Sequence, residues 1–97
     1  MNMQAMLKQA QALQKDMLKV KDEIDNKDYI GENSFVTVTM KGSKEVVSVK
    51  IDADSLDADD IEALQDMIVV AVNQATKKID DELEEKLGKF GNIPGLF

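Results

Sequence analysis

The sequence predicts an α+β fold: a long N-terminal helix, an antiparallel hairpin or three-stranded sheet, and a long C-terminal helix. Three patterns carry that expectation. At the start, apolar side chains fall at Met3, Met6, Ala10, Leu13, Met17, Val20 and Ile24, at intervals alternating between three and four, the heptad form of an amphipathic helix. In the middle, two β-branched runs alternate apolar and polar residues with period two, as strands do. Toward the end, Ile61, Leu64, Ile68, Val72, Ala75, Ile79, Leu83 and Leu87 again recur at three or four.

The first helix is expected over about Asn2 to Asn26, where an Asp-Asn-Lys-Asp stretch of poor helix formers ends it. Its apolar seam is expected to be core or interface. Lys8 and Lys15 share the outer heptad position and Lys19 lies one turn beyond, with Gln4, Gln11 and Gln14 extending the polar surface. At 1.5 Å rise per residue, Lys8 and Lys15 stand roughly 10 Å apart. A short Gly-containing connector, Tyr29 to Ser34, is a candidate edge strand around Tyr29 and Ile30. The hairpin follows as Phe35 to Met40 and Val46 to Ile51 around Gly42. Val36, Val38 and Met40 share one face with Val47, Val49 and Ile51, and Thr37, Thr39, Ser48 and Lys50 the other. A lone hairpin is marginal, so helices are expected over the apolar face.

Asp52 to Asp66 hold seven acids and no base. The run does not fit a calcium loop, which needs Gly at its sixth position and Glu at its twelfth. It fits a helix start, with Asp57 as N-cap and carboxylates in the first turn. Metal and cofactor are expected to be none. The second helix is expected over about Ala58 to Leu87, with Gly88 as its stop. Its Met67-Ile-Val-Val-Ala-Val72 turn is apolar all round and predicts burial on more than one side. Asp80 to Glu85 and the nearby lysines read as a solvated face of local ion pairs. Residues 88–97, punctuated by Gly and Pro, are expected to form a flexible tail to one domain spanning 1–97.

Composition narrows the function classes. The 97 residues contain three Phe, one Tyr and no Trp, and a chain this size buries only roughly 60–65% of its unfolded surface. A homodimer sharing apolar surface is therefore expected, with Met67, Ile68, Val69, Val70 and Val72 as its candidate interface. The chain has no Cys, His or Arg and no Gly-rich phosphate loop, so the usual acid–base, nucleophilic and phosphate-handling constellations are missing and an enzyme is not expected. Lack of Cys suits a reducing cytoplasm. No continuous apolar run of signal-peptide or membrane length is present. Net charge is −7, divided unevenly: residues 1–21 carry four Lys and one Asp (+3), and residues 22–97 carry eight Lys and eighteen acids (−10).

Several stretches together resemble the YbaB/EbfC family of bacterial nucleoid-associated proteins. They are Met3-Gln-Ala-Met-Leu-Lys-Gln-Ala-Gln-Ala-Leu-Gln-Lys15, Val47-Ser-Val-Lys-Ile-Asp52, Asp66-Met-Ile-Val-Val-Ala-Val-Asn-Gln-Ala75 and Pro94-Gly-Leu-Phe97, in this order. The resemblance implies a tweezer-like homodimer with projecting helices, located in the cytoplasm at the nucleoid. It implies binding of double-stranded DNA, with effects on nucleoid organisation and gene expression, and no membrane or small-molecule partner. Joined to the charge pattern, it makes Gln4, Lys8, Gln11, Lys15 and Lys19 the candidate DNA contacts, Lys on phosphates and Gln on base edges. Without Arg, the bidentate guanine contact that most often gives specificity is lost, so low or moderate specificity is expected. The competing class is an acidic dimeric protein–protein adaptor whose lysines serve only solubility.

Overall fold

The computed structural model describes residues 2–88, in the order α1 (Met3–Asp25), β1 (Asp28–Asn33), β2 (Val36–Lys41), β3 (Val46–Ile51), a 3₁₀ turn (Ala58–Asp60) and α2 (Ile61–Leu87). Residues 89–97, most of the expected tail, lie outside the described residues. The chain measures 71 × 19 × 16 Å. That length comes from two long helices that overlap only in part.

Helix α1 starts where Asn2 accepts hydrogen bonds from the Gln4 and Ala5 N–H groups, and Asn26 caps its end by donating to the Asp22 carbonyl. Such a cap satisfies donors that the first turn leaves orphaned. The strands form one antiparallel sheet ordered β1-β2-β3. The candidate edge strand is thus a full member, pairing Gly31 with Val38 and Tyr29 with Met40. Val38 pairs with Val49 and Val36 with Ile51, the register that the alternation requires. An irregularity near Met40, which pairs with Val46, interrupts the ladder.

Turn chemistry differs from expectation at Gly42. The left-handed position of that hairpin falls to Lys44 (φ 73°). Gly42 is needed for another reason: a Cβ there would lie 1.8 Å from the Ile24 carbonyl oxygen, so α1 and the hairpin touch backbone to backbone. Asp57 caps the turn before α2, reciprocally with Asp60, as the acidic run predicts. Gly88 ends α2 in a right-handed conformation (φ −58°), not the left-handed one its glycine suggests.

The core lies between α2 and the first two strands. Val36, Val38 and Ala71 form one buried cluster, and Ile24, Tyr29, Met40, Ala75, Ile79, Leu83 and Leu87 form a second. Helices were expected to cover the whole apolar sheet face, and they do not. It is α2 that packs on it, over β1 and β2, whereas α1 packs mainly on α2 and meets the sheet where Ile24 joins Tyr29 and Met40. A single helix is about 10 Å wide, roughly two strand spacings, so the third strand is left bare. Every residue of β3 is exposed, Val47 to 54%.

The two edges of the sheet are unequal. On β1, the Glu32 N–H donates to the Gln74 side chain (2.8 Å) and the Ile30 carbonyl accepts from the Lys78 ammonium (2.6 Å), both from α2. Among the described residues the outer edge of β3 has no such partner.

Candidate nucleic-acid interface

The apolar seam of α1 is buried along only half its length. Ile24 is buried in one cluster with Leu83 and Leu87 of α2, Val20 packs partly on that cluster, and Met17 is buried as well. Toward the N-terminus Met3, Met6 and Leu13 are exposed. The first half of α1 is an arm that projects past the end of α2.

All five sequence-predicted contacts sit on this helix and all are exposed. At about 100° per residue, Gln4, Lys8, Gln11, Lys15 and Lys19 fall within an arc of about 80°, centred opposite Ile24 and Met17. They therefore share one face, turned away from the core. Elsewhere lysines are engaged. Lys21 pairs with Asp25, Lys27 and Lys86 with Glu82, Lys41 with Asp28, Lys44 with Asp80, and Lys77 with Asp81. Among the described residues, Lys8, Lys15, Lys19, Lys50 and Lys78 make no ion pair, and of these Lys78 is held by the Ile30 carbonyl. The free cations are concentrated on the arm, and free ammonium groups at intervals of about 10 Å and 6 Å are what a phosphate backbone recruits.

The candidate interface residues divide between two surroundings. Met67, Ile68 and Val72 are half-buried against the Val36–Val38–Ala71 cluster. Val69 is 57% exposed and Val70 is 44% exposed, so the turn is not buried on all sides within one chain.

The acidic block of α2 needs a correction at one residue. Lys77–Asp81 (3.1 Å) and Lys86–Glu82 (3.2 Å) are local ion pairs as expected, but Glu82 is not on a solvated face. Its side chain is 14% exposed, accepts a hydrogen bond from the Tyr29 hydroxyl, and is gripped by Lys27 at 3.0 Å. The Tyr29 hydrogen bond, helped by the two lysines against the opposing effect of burial, lowers the Glu82 pKa to about 2. Burial first, then the adjacent carboxylate, pushes the Tyr29 phenol above its usual range. The group latches β1 to α2 close to where α1 joins them. Sequence reasoning missed it because the two residues lie 53 positions apart.

A three-stranded sheet covered by one helix, with a second helix that carries exposed lysines along one face, defines a small α+β protein. The comparisons with known proteins are specific. The profile of the YbaB/EbfC DNA-binding family matches residues 1–93, and the chain belongs to that family. A nucleoid-associated protein of Pelotomaculum thermopropionicum is 43% identical, over 99% of this chain and 96% of the relative. One from Enterococcus faecalis is 42% identical, over 98% and 94%. The crystal structure of an uncharacterized Helicobacter pylori protein shares the fold, with TM-score 0.76 over 95% of this chain and 99% of that one, at 20% identity. No described helix is long and apolar enough to cross a membrane.

Proposed function

We propose that this chain, a nucleoid-associated DNA-binding protein by family, grips duplex DNA as a homodimer through the exposed face of α1. The observation that carries this reading is the projecting arm, with Lys8, Lys15 and Lys19 unpaired while six of the lysines on the body are held by carboxylates. Lysine ammonium groups contact phosphates, and Gln4 and Gln11, on the same face, reach toward base edges. Lysine binds phosphate as a point charge without the bidentate geometry of Arg, so register on the duplex is set by shape and spacing more than by sequence. The acidic body repels the polyanion and leaves the arm as the point of approach. The site of action is the cytoplasmic nucleoid, where such binding influences DNA organisation and gene expression.

The homodimer is supported by what one chain leaves uncovered. Val47, Val49 and Ile51 continue the apolar face of Val36 and Val38 into solvent, and the open edge of β3 lies beside them. Val69 and Val70 add exposed apolar surface on α2. Contiguous surface of this kind marks association sites in soluble proteins. A second copy covering the β3 face and the Met67–Val72 turn doubles the arms, which is the tweezer arrangement.

The test is charge reversal of Lys8→Glu with Lys15→Glu, followed by fluorescence titration with unrelated duplexes. Loss of binding, with the melting temperature and oligomeric state retained, supports the placement. Unchanged binding removes the site from α1.

A further inference from the structure

The N-terminal half of α1 leaves an apolar stripe bare. Met6 (53% exposed) and Leu13 (48%) lie within about 20° of Ile24 around the helix, so the bare stripe continues the buried one. Met3, Met6, Ala10 and Leu13 make two heptads, with the intervals of three and four that one helix presents to another. The positions bordering them are Leu7, Gln9 and Gln14, so no charge flanks the stripe before Asp16. Lys8 and Lys15 stand on the opposite face. A helix as short as residues 3–16 is marginal in water unless packing holds its apolar side.

We propose that this stripe is covered by the same stripe of a second copy running antiparallel, and that the pair of arms so formed bridges two DNA duplexes. Charge sets the direction. Residues 22–97 carry eight Lys and eighteen acids (−10), so a parallel pair would set two acidic bodies side by side, whereas an antiparallel pair sends them to opposite ends. Size sets the register, because Met6 against the small Ala10 of the second copy also brings Met3 level with its Leu13. In that register Asp16, which makes no ion pair among the described residues, comes within about one turn of the second copy's Asn2. The first turn of α1 holds no acid of its own, so a carboxylate arriving there complements the positive end of the helix dipole. Each arm carries Lys8 and Lys15 opposite its stripe. Pairing therefore turns the two lysine faces outward in opposite directions, with two helix diameters, about 20 Å, between them. A duplex lies on either side. The arm pair needs no ligand, and the bridge rests on DNA as the ligand of α1. Two heptads make a weak contact, so it forms where copies are crowded, as along a duplex that holds many of them.

The chain contains no cysteine, so introduced thiols report contact without background. Full-length Met6→Cys and Ala10→Cys proteins are mixed in equal amounts at millimolar concentration and oxidised without DNA. The mixed disulfide is expected to exceed either like-with-like disulfide at least tenfold. A mixed yield at the statistical twofold, or an excess of like-with-like disulfides, overturns the antiparallel pair. Lys8→Cys, whose thiol points away from the stripe, is the control, and oxidation as fast as in the mixture overturns pairing through the stripe. A second measurement separates pairing from DNA binding. Met6→Gln with Leu13→Gln leaves the lysine face and the net charge intact, so affinity for a single duplex should match the parent. Capture of a second, labelled duplex by a bead-bound one should fall at least tenfold. Unchanged capture overturns the bridge. If Lys8→Glu with Lys15→Glu leaves DNA binding unchanged while the mixed disulfide still forms, the bridge falls with the DNA reading and the arm pair stands.

Discussion

Replacing Gly31 with Ala probes how closely α2 sits on the sheet. A Cβ at Gly31 would lie 1.9 Å from the Ala71 carbonyl oxygen and 2.9 Å from the Ala75 nitrogen, both backbone atoms of α2. Ordinary contact begins at 3.4 Å, so the helix must retreat by 3.4 − 1.9 = 1.5 Å from β1. No side-chain rotation relieves the overlap. Retreat loosens the fully buried Ala71, Ala75, Val36 and Val38 together. Overpacking of a core typically costs about 1–3 kcal/mol, and a clash with backbone belongs at the upper end. At about 4–8 °C per kcal/mol for a domain of this size, the melting temperature should fall by roughly 10–20 °C. Circular dichroism melts at one fixed protein concentration measure it, since dimerisation makes melting concentration-dependent. Intrinsic preference runs the other way, Ala being better than Gly within a strand by about 0.5–1 kcal/mol, so the sign alone is diagnostic. A melting temperature within about 2 °C of the parent, or above it, refutes the close approach. Gly88→Ala is the control: nothing lies within 4 Å and the backbone is right-handed, so stability should hold or rise by about 0.4–1 kcal/mol.

The other predictions concern the latch and the seam. Tyr29→Phe removes a hydrogen bond to a charged, largely buried carboxylate and is expected to cost about 2 kcal/mol, read by urea denaturation at neutral pH. Because the folded-state pKa of Glu82 is depressed to about 2 from 4.5, its contribution is present above pH 4.5 and is lost as pH falls from there toward 2. Acid titration of Glu82→Gln should accordingly show a shallower loss of stability over that window, and a parallel curve removes Glu82 from the account. The raised phenol of Tyr29 has the opposite sign: its contribution is complete below pH 10 and is lost as pH rises through the higher folded value. Light scattering at micromolar concentration is expected to give twice 10.8 kDa for the parent and to shift toward the single-chain mass for Val49→Asp or Val69→Asp. A parent that scatters as one chain removes the dimer.

The helices and the second hairpin were legible because their periodicities are long and consistent, and Asp57 was legible as a cap because side chain and backbone interact within three residues. Strand β1 was faint, since Tyr29-Ile-Gly31 offers little alternation and its membership rests on pairing with β2. The coverage of β3 was misjudged for a geometric reason: periodicity says which face is apolar, not how many strands one helix can shield. Gly42 illustrates the same limit, reading as a turn residue although its small size is required by Ile24 across the fold. Gly31 gave a usable signal, a glycine inside a strand alongside a helix with Ala71 and Ala75 four residues apart, which together mark a close helix–sheet approach. The Tyr29–Glu82 latch had no local sign at all. For the proposed DNA face, the arc of Gln4, Lys8, Gln11, Lys15 and Lys19 followed from helical spacing, whereas the freedom of its three lysines from ion pairs emerged only once the partners of the other lysines were placed.

The salt dependence of DNA affinity tests the central claim most directly. Three free lysines on each arm give six phosphate contacts per homodimer, and at about 0.9 log units per phosphate the slope of log K against log salt should be about −5. With Lys8→Glu and Lys15→Glu two contacts remain, so the slope should shrink to about −2 as affinity falls. A double variant that keeps the parental affinity and slope contradicts the assignment of DNA binding to α1.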